Sequence, residues 1–567
     1  MRTIRIGGGA GYGGDRIEPA LDLIRFGNLD YIIFECLAER TIAIAQQEKE
    51  KDSKKGYNEL LEYRMSRILP LLKEHKVKII TNMGAANPQA AVQTTGRMAE
   101  EYGLEDIKVM GVVGDDIIGN IDRYMDNTIL ETGEPLKSIA GSIISANAYI
   151  GVSGIVEALR QGADIVITGR VADPALTLAP AVYQFDWSMD DYDKLGKGTV
   201  MGHLLECGAQ VCGGYFADPP YKVVPDLWNV GFPIGEITET GEITISKLPQ
   251  AGGLVSRETV SEQLIYEIHD PSAYCTPDVT ADFSGIILEE KDGAVYVKGA
   301  SGKAKNGKYK VSIAYKDGFI GEGEISYTGS GAMERARLAI EIIKKRLEPW
   351  TDRIQEVKYD IIGIDSLHGD ITKASASAPA ECRVRVAVRS QDSFTAGMAG
   401  KEVEALYTNG PAGGGGARRY VKEVIAVASI FVPEEDIKEE MIVYGEAKLR
   451  EIAHSRTGDK GNISNISLIA YRKEDYGTIV KNVTPEKVKE YFADVVKGKV
   501  VIYQLPNLWA INIVMYDALG GGVTRSLSLD THGKSLSSLL LDMEIDVPSA
   551  GADNSRADVK GGKNAFE

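Results

Sequence analysis

The feature that most constrains this chain is a repeated unit in its first third. A short apolar run is followed by a turn of Gly with Asn, Asp, Glu or Arg, and then by a helical pattern. The clearest copy is Gly162–Pro174, GADIVITGRVADP. Its run Ile165–Thr168 is β-branched, too short for a helix and bounded by Gly162 and Gly169, so Asp164 to Thr168 reads as a buried strand. The turn after it presents Arg170 and Asp173. Other copies place Glu35 after the strand Asp30–Phe34, Asn82 after Lys78–Thr81, Asp115 after Ile107–Val113 and Asn147 after Ile143–Ala146. Alternating strands and helices imply a mainly parallel sheet, and such sheets meet ligands at the carboxyl ends of their strands. The expected fold is α/β, a three-layer open sheet rather than a closed barrel, because the unit lengths are uneven. Glu35, Asn82, Asp115, Asn147, Arg170 and Asp173 would share one rim.

Two glycine clusters suggest anion sites. After the strand Thr3–Ile6, Gly9, Gly11 and Gly14 satisfy G-x-G-x-x-G before a helix that begins near Asp15. Glu35 then stands about twenty residues on, where a dinucleotide site has its ribose-binding acid. One reading is therefore an NAD(P)-binding oxidoreductase. Asp15 weakens it, since a carboxylate at the helix start repels a pyrophosphate; a turn that packs helix tightly on strand is the alternative. In the second cluster, GPAGGGGARR, backbone N–H groups around Gly414 would form an anion nest, with Arg418 and Arg419 adding bidentate donors. The alternative there is a mobile loop. His203 and Glu206 are i,i+3 neighbours on a helix, a spacing typical of an ordinary core or surface pair.

Composition shifts divide the chain. Residues 1–440 form the α/β core, with an antiparallel β-rich insertion over about 234–331. A charged, proline-led boundary near 433–445 precedes a small α+β domain at 445–545, including a strand at Ser526–Asp530, and a polar tail at 548–567. The net charge of −17, without a compensating basic stripe, argues against nucleic acid or an anionic membrane as partner. Five scattered cysteines and the lack of a leader pattern point to reduced thiols in the cytoplasm. No histidine or cysteine spacing suggests a structural metal. Strand edges in the β-rich stretch predict a homo-oligomer.

Several long motifs, ADIVITGRVADPAL, ECGAQVCGGYFADPP, GGLVSRETVSEQLIYEIHDPSAYCTPDV, AHSRTGDKGNISNI and LGGGVTRSLSLDTHGK, are similar to those of the acyclic terpene utilisation AtuA family, in the same order and over about residues 3–545. The resemblance implies a ferredoxin-like C-terminal domain and a role in the breakdown of branched, isoprenoid-like acids as CoA thioesters. The family's GRVAD is intact at Gly169–Asp173. Its AxARSGDKG pattern maps onto Ala453–Gly461 with Thr457 in the Ser position, which carries over Arg456, Gly458, Asp459, Lys460 and Gly461. For such substrates Arg170, Arg418, Arg419 and Arg456 are candidate anion binders. Glu35, Asp115, Asp173 and Asp459 are candidate bases, and Lys460 is a candidate holder of a developing oxyanion. There is no G-x-S-x-G elbow for a serine nucleophile. The expected activity is C–C or C–O lyase chemistry on a carboxylate or acyl-CoA, with CoA entering only as part of the substrate and no other cofactor. The C-terminal domain would close on the core rim. The alternatives are the NAD(P) oxidoreductase and a non-catalytic ligand-binding subunit.

Overall fold

The computed structural model describes residues 2–369, 380–473, 475–522 and 524–546. The strands read from the repeated units form as β1 (Thr3–Gly8), β2 (Tyr31–Phe34), β3 (Lys78–Thr81), β4 (Val109–Val113), β5 (Ile143–Ala148) and β6 (Ile165–Thr168). Between and after them come α1 (Glu18–Phe26), α2 (Glu39–Lys51), α3 (Leu61–Ile68), α4 (Pro88–Glu101), α5 (Ser153–Arg160), α6 (Ala175–Phe185) and α7 (Tyr192–Glu206). Pro70 ends α3 as an α-helix; the chain tightens into a 3-10 turn over Leu69–Lys73.

The centre is a parallel run in the order β1-β2-β3-β6-β4. Every residue of β2 and β6 is buried, as befits strands covered on both faces. Alternate side chains go to opposite cores. Ile32, Phe34, Ile79, Ile165 and Ile167 pack with α1, α3 and α4, whereas Ile33, Ile80, Met110, Val112 and Val166 pack with α5, α6 and α7. Each such buried aliphatic contributes about 1.5–3 kcal/mol relative to exposure.

Two sequence expectations need correction. First, β5 does not join this sheet. The connection from β4 carries 3-10 turns (Ile118–Tyr124 and Leu136–Ser142) instead of a crossover helix, and β5 pairs antiparallel with Lys308–Thr328. A single bridge, Asp116 to Asn147, still returns its end to β4. Second, the β-rich stretch is not a separate insertion. β7 (Pro233–Thr238) pairs antiparallel with β1, and β8 (Ile243–Lys247), Ala294–Lys298 and Ile287–Lys291 continue outward; α8 (Arg257–Ile265) lies among them. The charged stretch at the boundary expected near 433–445 is the last segment of this core before the C-terminal domain. Its strand Glu440–Val443 closes the other edge against β4, giving a ten-stranded mixed sheet.

Within the β-rich stretch, Lys308–Thr328 is one strand of 21 residues, with a register shift between Lys316 and Phe319. Beyond β5 it enters a β-α-β-β-α-β module with helices Ala332–Leu347 and Ser393–Asn409. The module's antiparallel sheet runs Ile354–Ile362, Glu381–Ser390, Lys308–Thr328, Gly415–Pro433. The C-terminal domain has its own antiparallel sheet in the order Ala453–Lys460, Ile463–Ala470, Ala510–Met515, Val500–Leu505, around a separate core. The expected strand Ser526–Asp530 is irregular, with Leu527 and Leu529 fully exposed. The expected tail at 548–567 lies outside the described residues.

Candidate active site

The rim expected from the strand ends is assembled. Asn82 Nδ2 donates to Glu35 Oε1 at 2.9 Å, and Asn82 Oδ1 accepts from Cys36 N at 2.7 Å. Asn147 Nδ2 and Arg170 N each donate to Asp115 Oδ2 at 2.9 Å. Gly169 permits this approach, because a Cβ there would lie 2.5 Å from Asp115 Oδ1. Arg170 is only 1% exposed. Its guanidinium donates to the carbonyls of Leu37 and Val171 and to the Asp173 carboxylate, and lies 4.4 Å over the Tyr149 ring. Arg170 is thus an internal clamp between the ends of β2 and β6, not a free fork for an incoming anion.

Burial and like charge set the protonation of this rim. Burial, reinforced by Asp173, pushes Glu35 up to about 8, against the pull of Arg170 and of hydrogen bonds from Leu37 N and Asn82. Burial also raises Asp173, with the charges of Glu39 and Glu267 adding to it and direct contact with Arg170 opposing it. Asp115 rises to about 6 by burial, restrained by its bonds from Arg170 N and Asn147.

Sequence reasoning missed part of the cluster. Glu39, at the start of α2, accepts from Tyr149 Oη and lies 3.5 Å from Lys310. The polar-turn pattern that found Glu35 extends to Glu39 four residues on, whereas nothing local marks Tyr149 or Lys310. His203 and Glu206 are a buried pair, Nδ1 to Oε1 at 2.8 Å. Burial lifts Glu206 to about 7, with the charges of Asp173 and Glu267 adding to it and His203 opposing. His203 Nε2, Glu206 Oε2 and Gln263 Oε1 are buried without a hydrogen-bond partner.

Other candidates do not join the rim. Gly9 and Gly11 are packing glycines. A Cβ on Gly9 would lie 2.7 Å from the Phe34 ring, and one on Gly11 would lie 2.4 Å from the Cys207 carbonyl carbon. Gly14 packs against Tyr12, and Gly11 N already donates to Asp15 Oδ2 at 3.0 Å. The space a pyrophosphate would take beside Gly11 is filled by protein backbone. The second glycine cluster is not a nest: a strand begins at Gly415, Gly414 packs against Ile325 and Tyr327, and Arg419 pairs with Glu404 at 3.2 Å. Arg419 is registered with Gly323 and Asn147 with Ser312 on the same long strand, which separates Arg418 and Arg419 from the rim by about 35 Å. Asp459 and Lys460 are adjacent on a strand and therefore face opposite sides. Asp459 is held by Lys534 at 2.7 Å and His532 at 3.1 Å, and hydrogen bonds to those two side chains keep its carboxyl below the usual range. Arg456 and Lys460 are exposed, and neither is bonded to a rim residue.

Two surface clefts lie elsewhere: one of about 390 Å³ between Arg123, Tyr124, Lys308 and Asp436, another of about 370 Å³ between Gly96, Glu100 and Tyr444. Among the described residues, no three His, Cys, Asp or Glu side chains are placed to hold a metal ion, and no helix is long and apolar enough to cross a membrane.

Fold and rim together define a class: an open α/β sheet with a buried carboxyl cluster at its strand ends, followed by an α+β domain. The sequence profile of the acyclic terpene utilisation family protein AtuA matches residues 4–443, and that of the AtuA ferredoxin-like domain matches residues 447–546. The chain belongs to the AtuA family, and the C-terminal domain is its ferredoxin-like domain. The profiles meet between the strands Glu440–Val443 and Glu446–Lys448. No curated protein matches the chain. Among solved structures, the aspartate kinase of Clostridium acetobutylicum aligns with 90% of this chain and 95% of its own, at 8% identity and a TM-score of 0.15, a likeness that carries no argument.

Proposed function

We propose that this chain is an enzyme of branched or isoprenoid-like carboxylate or acyl-CoA breakdown that works by C–O or C–C lyase chemistry at the rim. The observation that supports it is the Glu35–Asp173 pair, neighbouring carboxyls of which Glu35 is raised to about 8 by burial while Asp173 lies directly against the Arg170 guanidinium. Environments that push two titratable groups apart supply an acid and a base. In a dehydration, Asp173 takes the proton α to the substrate carbonyl while Glu35 gives its proton to the departing hydroxyl. Water leaves, and the two carboxyls have exchanged protonation. Arg170 positions Asp173 and favours its charged form. Leu37 N and Asn82 hold Glu35 by Oε1, which leaves Oε2 for the proton. No electrons change hands, so the step needs no redox cofactor, and CoA enters as part of the substrate.

The test is a panel of branched hydroxyacyl-CoAs and the matching free acids, with products read by mass spectrometry. Water loss or chain cleavage by the native protein should fall about a hundredfold or more in Glu35→Gln and in Asp173→Asn. Unchanged turnover in both variants rejects the assignment. The alternative is a non-catalytic ligand-binding subunit. Acyl-CoA binding without any turnover selects it.

A further inference from the structure

The last turn of α7 and the helix α8 hold a polar cluster that the Glu35–Asp173 pair does not use. His203 and Gln263 are each 2% exposed and Glu206 is 9% exposed. The three are bonded to one another. His203 Nδ1 faces Glu206 Oε1 at 2.8 Å, and Gln263 Nε2 donates at 3.0 Å to the His203 carbonyl, one of the last carbonyls of α7. Each side chain keeps a second polar atom open: His203 Nε2, Glu206 Oε2 and Gln263 Oε1 are buried without a hydrogen-bond partner. A histidine–glutamate pair that only filled the core would close its valences, because an unpaired buried polar atom costs the fold free energy. Three such atoms on one bonded set point to a partner that arrives with a ligand.

The cluster stands beside the rim. Gly202 seats α7 on the residue after Asp173, since a Cβ there would lie 2.6 Å from Pro174 Cα, and Asp173 is near enough for its charge to lift Glu206. The rings of Tyr274 and Phe283, 5.6 and 5.5 Å from that of His203, pack the imidazole in place. The open atoms define what fits. Burial works against a charged His203 ring, but Glu206 outweighs it and lifts the ring above the ordinary histidine value, so Nε2 carries a proton and donates. Glu206 Oε2 accepts whether the proton between ring and carboxyl rides on one or the other, and Gln263 Oε1 only accepts. The ligand group must therefore both donate and accept. A carboxylate or a phosphodiester donates nothing, an ammonium accepts nothing, and an alkyl group does neither. A hydroxyl does both.

We propose that His203, Glu206 and Gln263 form a subsite for a hydroxyl group of the ligand. His203 Nε2–H donates to the hydroxyl oxygen, and Glu206 Oε2 or Gln263 Oε1 accepts its hydrogen. Glu206 also fixes the orientation of the His203 ring through Nδ1. That this hydroxyl is the group which departs rests on the lyase reading; the subsite itself does not.

The experiment is calorimetric titration of the full chain with β-hydroxyisovalerate and isovalerate, a branched hydroxy acid and its deoxy analogue. It is repeated on Gln263→Leu and His203→Phe, with thermal melts to read the fold separately. The native chain should bind the hydroxy acid about a hundredfold more tightly than the deoxy acid. Gln263→Leu keeps the His203–Glu206 bond and removes one acceptor, and should cut that preference about tenfold. His203→Phe keeps a ring against Tyr274 and Phe283 and should abolish it. If His203→Phe does not fold, Gln263→Leu decides. Equal binding of both acids by the native chain, or binding of neither, overturns the inference, since the open atoms then serve water alone. A preference unchanged in the folded variants overturns it too. The expected preference with no turnover of any substrate keeps the subsite and sinks the lyase reading. Turnover of hydroxyacyl-CoAs without the preference does the reverse.

Discussion

Glu35→Gln gives the most direct measure of the rim's electrostatics. Glutamine keeps an acceptor for Leu37 N and Asn82 Nδ2 and puts a donor where the neutral acid carries its proton, so it imitates the protonated state at every pH. In the native chain, folding lifts this acid from 4.5 to about 8, chiefly by burial. An acid raised by folding binds its proton more tightly when folded. Its contribution to stability is complete below about pH 4.5 and is lost as the pH climbs through 8. The loss is about 1.4 kcal/mol per pH unit, about 5 kcal/mol over the whole window, and belongs to the Glu35–Asp173 pair because the two titrate together. Urea unfolding at half-unit steps from pH 5 to 8.5, with proton uptake measured by calorimetry, reads it directly. Native stability should fall steeply with pH while that of Glu35→Gln stays flatter. The variant should match the native chain near pH 5 and exceed it by several kcal/mol near pH 8. Parallel curves would mean that Glu35 is already ionised in the fold, and the acid–base assignment would fail with it.

Three further outcomes are expected. Gly11→Ala forces a methyl against the Cys207 carbonyl and should cost about 1–3 kcal/mol in a thermal melt; an unchanged melt would mean the turn has room for a ligand after all. Asp115→Ala leaves Arg170 N–H and the Asn147 amide without their acceptor, a loss of about 2–5 kcal/mol in the urea midpoint, of which Asp115→Asn should recover part. Glu439, whose Oε2 accepts from Gly154 N at 2.6 Å at the start of α5, should cost about 1–2 kcal/mol as Glu439→Ala, and Glu439→Gln should restore most of it.

The rim was legible because the period of the apolar runs and the chemistry of the turns agree locally, and strand ends inherit their position from the sheet. Which sheet a strand joins was not legible. Ile143–Ala148 has the composition of a strand, but its partner, Lys308–Thr328, lies more than a hundred and fifty residues away, and no local signal names it. The strand Glu440–Val443 was hidden in a charged stretch because it sits on a sheet edge, where charge is tolerated. Arg170 is conspicuous in sequence, yet its role as an inward clamp depends on the Leu37 carbonyl and the Tyr149 ring, neither of which is near it in the chain. Gly9 and Gly11 satisfied a phosphate-binding spacing, and only the Cys207 backbone and the Phe34 ring reveal that they serve packing.

The long strand Lys308–Thr328 meets β5 at Asn147 near one end and carries the β-α-β-β-α-β module along the other. It therefore works as a stiff rod between the module and the rim. A slip by one residue would exchange its two buried faces, putting Ser312 and Ala314 where Val311 and Ile313 now pack, so the rod does not creep. It advances by about 7 Å or holds still. Small movements of the module are taken up by flexing, and only a displacement large enough to skip a full repeat would uncouple Asn147 from Asp115.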